Sequence, residues 1–64
     1  MSLKEQIITI RDSGKTNMLD SYVVQRIANE MDFYELVIFI EENRADYGRF
    51  ILTGDEKYLS NSDR

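Results

Sequence analysis

Phe33-Tyr34-Glu35-Leu36-Val37-Ile38-Phe39-Ile40-Glu41-Glu42 is the stretch on which the fold turns. Its centre, Val37 to Ile40, is β-branched and aromatic, the composition of a buried strand, and Phe50-Ile51-Leu52-Thr53 could pair with it as a hairpin. Three features favour a helix. Asp32-Phe33-Tyr34-Glu35 resembles a capping box with Asp in the Ser/Thr place. Tyr47, Phe50 and Ile51 fall at i, i+3, i+4, a spacing that a strand does not require. Asn43-Arg44-Ala45-Asp46 reads as an N-cap followed by a first-turn acid, with Gly54 as the stop. The pattern therefore predicts helices over Phe33–Glu42 and Arg44–Thr53, with a C-terminal hairpin as the alternative. Gly48, inside the second of these, costs about 1 kcal/mol relative to alanine.

Upstream the signals are stronger. Ser2-Leu3-Lys4-Glu5 is a capping box, Leu3, Ile7 and Ile10 share one helical face, and Gly14 suits a left-handed helix end. This predicts a helix over Leu3–Ser13. Asp20 or Ser21 can cap a second helix over Ser21–Met31, whose stripe is Val23, Val24, Ile27, Ala28 and Met31. The residues from Asp55 to Arg64 include only two apolar side chains, Tyr58 and Leu59, and are expected to fray. The fold class is thus all-α, a compact bundle of three to four short helices over residues 1–54, followed by a flexible tail at 55–64. The alternative is α+β.

Sixty-four residues leave room for one domain. No cysteine or histidine is present, which excludes a disulfide framework, a thiol nucleophile, an imidazole base and the common zinc sites. The longest apolar run, Leu36 to Ile40, is far short of the roughly 20 residues that a membrane span needs. The first six residues contain no apolar segment of the signal-peptide kind, so a cytoplasmic protein is expected. Charge is unevenly spread along the chain. Residues 1–29 carry four bases against three acids, whereas residues 30–64 carry four bases against nine acids. Between residues 30 and 42 stand Glu30, Asp32, Glu35, Glu41 and Glu42 without a base. That stretch repels a polyanion and attracts a basic partner.

Three segments, Ile10 to Asp20, Phe33 to Val37 and Phe50 to Gly54, resemble a small family of proteins from phages and prophages of Gram-positive bacteria, described only as a domain of unknown function. The resemblance spans roughly residues 6–55. It implies a phage or prophage accessory protein working inside a bacterial host, and it carries over no site residues.

No motif points to catalysis. Gly14-Lys15-Thr16 lacks the earlier glycine of a phosphate loop, since Thr9 holds that place and a helix precedes it. The carboxylate pairs Glu41-Glu42, Asp55-Glu56 and Glu35 with Glu42 lie where a solvated face accounts for them, and the core is too small to make a pocket that shifts their pKa. Neither a cofactor nor a metal is called for. A helix-turn-helix would pair the second and third helices, yet only Asp32 separates them and Phe33–Glu42 contains no Lys, Arg, Asn or Gln. Nucleic-acid binding is therefore disfavoured. Arg26 and Glu30, at i, i+4, read as helix support alone.

One feature exceeds what a small core needs. When residues are stepped round the third helix from Phe33 at the helical period, Phe33, Leu36, Val37 and Ile40 form a sufficient core face. Tyr34 and Ile38 fall to one side of that face and Phe39 to the other, while Glu35 and Glu42 lie between them, opposite the core face. Two outcomes are open: the third helix is central and its neighbours cover these residues, or part of the surface is exposed. On the second outcome Tyr34, Glu35, Ile38, Phe39 and Glu42 form a protein-binding site for a basic partner, or for a second copy in a homodimer. The function expected is non-enzymatic, a modulator or inhibitor of a host factor. The alternative is a small helix-turn-helix-like regulator with Lys4, Arg11, Lys15 and Arg26 as its basic face.

Overall fold

The computed structural model describes residues 1–14 and 16–62. Among them stand four α-helices, α1 (Leu3–Ser13), α2 (Ser21–Glu30), α3 (Tyr34–Glu42) and α4 (Arg44–Thr53), then a 3-10 segment over Glu56–Ser62, and no strand. The all-α reading holds, and the hairpin alternative does not.

The helix ends follow from local chemistry. Ser2 Oγ accepts from the amide of Glu5 at 3.2 Å, and Glu5 Oε1 accepts from the amide of Ser2 at 2.9 Å, which completes the capping box. Gly14 and Gly54 close α1 and α4 with φ of 67° and 72°, the left-handed region that a β-carbon penalises. Asp20 caps α2 by accepting from the amide of Val23 at 3.3 Å.

The turn between α2 and α3 departs from expectation. Asp32 does not cap α3. It adopts φ 62° as the left-handed residue that ends α2, with its amide donating to Asn29 O at 3.2 Å and that of Phe33 to Ala28 O at 2.8 Å. These are the two bonds of a Schellman ending. Two helices joined by so short a link need one left-handed residue between them, and Asp tolerates that role better than most. Phe33 becomes the N-cap and offers no capping side chain. Gln6 of α1 substitutes for one: buried, it accepts from the amide of Leu36 at 3.3 Å through Oε1 and donates to Met1 O at 3.3 Å through Nε2.

The core gathers Leu3, Ile7 and Ile10 of α1, Val24, Ile27 and Ala28 of α2, Leu36, Phe39 and Ile40 of α3, and Tyr47 and Phe50 of α4. Tyr47 is fully buried, and its hydroxyl donates to Met18 O at 2.7 Å. A second departure concerns the C-terminus. The segment expected to fray over 55–64 takes 3-10 form from Glu56 to Ser62, where Leu59 inserts into the core at 7% exposure and Lys4 pairs with Glu56 at 2.9 Å. The last two residues lie outside the described ones. The accessible surface is 4099 Å², close to the roughly 4300 Å² that a monomer of this mass presents. One copy thus closes its own core.

Candidate interaction surface

α3 has its buried side turned by roughly 60° from the face that periodicity predicts. Leu36, Phe39 and Ile40 are buried, while Phe33 and Val37 are only half covered. Packing sets this rotation. α2 lies along the Val37 flank, where Gln25 Nε2 donates to Val37 O at 3.1 Å, and α1 and α4 also pack against α3. Phe39, proposed from sequence as a binding residue, is 2% exposed and belongs to the core. That assignment is corrected.

The other four residues stay outward. Tyr34 and Ile38 are each 56% exposed, and Glu35 and Glu42 are exposed beside them. Since Phe39 leaves the set, the remaining side chains occupy one uninterrupted arc of α3, which runs from Glu41 through Tyr34, Ile38 and Glu42 to Glu35. This arc holds three acids and no base. Tyr34 does not point freely: its hydroxyl donates to Asp32 Oδ1 at 2.8 Å. That bond and the adjacent negative charge push the phenol above its ordinary value of 10.0.

The arc continues toward α2 and α4 through a connected polar chain. Glu41 Oε1 accepts from Gln25 Nε2 at 3.0 Å, and Gln25 Oε1 accepts from Arg44 Nη2 at 2.9 Å. Arg44 Nη1 donates to Ser21 Oγ at 2.9 Å, and the guanidinium lies 3.9 Å above the Tyr22 ring. Arg44 thus ties the start of α4 to α2 by cation–π and neutral hydrogen bonds, a role that its place in the first turn of α4 does not announce. Arg26 and Glu30, in contrast, form no ion pair among the described residues. Gly14 ends α1 as a C-cap, and Lys15, of the Gly-Lys-Thr run and of the proposed basic face, lies outside the described residues.

Residues 1–55 match the family described as a domain of unknown function, DUF5049. The chain belongs to that family. In this DUF5049 chain the matched span takes in all four helices, including α3 and its outward arc, while the 3-10 segment that carries Leu59 follows it. No curated protein and no solved structure matches the chain. No helix among the described residues is long and apolar enough to cross a membrane.

Proposed function

We propose that this chain is a non-enzymatic accessory protein, acting inside a bacterial cell on behalf of a phage or prophage, which docks a protein partner on the outward arc of α3. The observation that carries the reading is Ile38, an aliphatic residue more than half exposed, framed by Tyr34, Glu35 and Glu42. Tyr34, one turn away, is equally exposed, so the two form a joined apolar pair on one helix face rather than a single scattered residue. Tyr34 and Ile38 supply contact area, and the three glutamates steer toward a basic partner and set its register. The phage setting rests on the resemblance of the three quoted segments.

A regulator that inserts α3 into DNA would bring Glu35, Glu41 and Glu42 against phosphates. A titration of duplex DNA at about 50 mM salt is expected to show no binding, and salt-sensitive binding would replace the docking reading with a regulator. The direct test compares wild type with Ile38→Lys as baits in a lysate of the bacterial host. A protein retained by wild type and lost from Ile38→Lys, at unchanged melting temperature, is the expected result. Retention of the same proteins by both baits would refute the reading.

A further inference from the structure

The outward arc of α3 has a complement on the same chain. Between α1 and α4 runs a groove of about 260 Å³, floored by Ile7, Ile8, Phe50 and Ile51 and rimmed by Lys4 and Arg11. Lys4 and Arg11 are seven residues apart, about 10.5 Å along the helix axis, with Ile8 four residues after the first and three before the second. On α3, Glu35 and Glu42 are also seven apart, with Ile38 three residues after the first and four before the second. Laid antiparallel, the two stripes coincide at three positions: Glu42 opposite Lys4, Ile38 opposite Ile8, and Glu35 opposite Arg11.

We propose that the outward arc of α3 docks into the α1–α4 groove of a second copy, so that copies associate head to tail. This rests on the reading of the arc as a docking surface and names its partner. A two-fold dimer through α3 would instead set Glu35, Glu41 and Glu42 against the same three acids, which is repulsive. Neither Glu35 nor Glu42 is in an ion pair among the described residues. Lys4 does pair with Glu56 at 2.9 Å, and Arg11 with Asp12 at 3.4 Å. Both pairs are exposed and contribute little, and an ammonium or guanidinium has donors enough for a second carboxylate. The arc and the groove are different surfaces, so a single head-to-tail contact is heterologous and leaves one arc and one groove free for further copies.

Sedimentation equilibrium of the full chain tests the proposal. At about 50 mM salt the weight-average mass is expected to rise above 7.6 kDa with concentration, and at about 1 M salt, where screening acts within roughly 3 Å, to return to the monomer. The variants E35K/E42K and K4E/R11E are each expected to be monomeric alone, because in each the two surfaces carry like charge. An equimolar mixture is expected to regain association roughly tenfold tighter than either variant alone. Circular dichroism checks that both are folded, and the wild-type salt series needs no variant. Wild type that stays monomeric throughout overturns self-docking, while the Ile38→Lys capture still judges the α3 surface separately. Association kept by E35K/E42K and lost by K4E/R11E removes α3 from the contact and overturns self-docking through the arc. Association lost by E35K/E42K and kept by K4E/R11E overturns the groove alone, and a mixture that remains monomeric overturns the paired register.

Discussion

Ile38 and Phe39 are neighbours in sequence with opposite fates, and substitution should separate them cleanly. Phe39→Ala empties a site that is 2% exposed and is expected to cost about 3–5 kcal/mol, comparable with the whole stability of a domain this small. Ile38→Ala is expected to stay within about 0.5 kcal/mol of wild type, since surface substitutions rarely do more. Urea unfolding of both variants measures the contrast, and similar losses would place both in the core. Tyr34 makes a pH prediction. Its hydroxyl donates to Asp32, so ionising it removes the donor and sets two negative charges together. A phenol with a folded pKa raised above 10.0 contributes stability that is fully present below 10.0 and is lost as pH climbs through the raised value. The Tyr34 ring resonance is expected to titrate above pH 10.0, and in Asp32→Asn its midpoint should fall back toward that value.

The start of α3 and the middle of α4 are the elements with the most to reveal. α3 lacks a cap from its own N-cap residue and takes one from α1, through Gln6 to the amide of Leu36. Gln6→Ala is expected to cost about 1–2 kcal/mol, the loss of a helix cap in a buried setting. Thermal unfolding reads this out, and a melting temperature at the wild-type value would mean that solvent replaces the cap. Gly48 works in the other direction. It sits in the interior of α4 with helical backbone, and a β-carbon there would meet nothing within 4 Å beyond its chain neighbours and the helix's own backbone. Gly48→Ala is expected to stabilise by about 1 kcal/mol, raising the melting temperature by roughly 4–8 °C. A drop instead would show that α4 needs the glycine for a reason other than space.

At the scale of the whole molecule, closure depends on a residue beyond the four helices. Leu59 joins the core from the 3-10 segment, which packs on α4 and α1. Leu59→Ala is expected to cost about 2 kcal/mol, near the low end for a buried leucine because the site is at the rim. A denaturant midpoint unchanged from wild type would return this segment to the status of a tail. Four helices and six of their eight ends could be read directly from residue order, because caps, left-handed glycines and i, i+4 stripes act within one or two turns of the chain. The angular places of Tyr34, Glu35, Ile38 and Glu42 on α3 were legible for the same reason, since they follow from position alone, but whether neighbouring helices cover Tyr34 and Ile38 was not. Other features needed the folded chain. α3 carries apolar side chains on three sides, so which side faces inward depends on where α2 and α4 lie against it; that choice buried Phe39 and left Ile38 outside. Gln6 as the cap of α3, Arg44 as the tie between α4 and α2, and Leu59 as a core residue each join positions far apart in sequence. Periodicity describes one helix at a time, whereas burial is a property of the gaps that several helices leave between them.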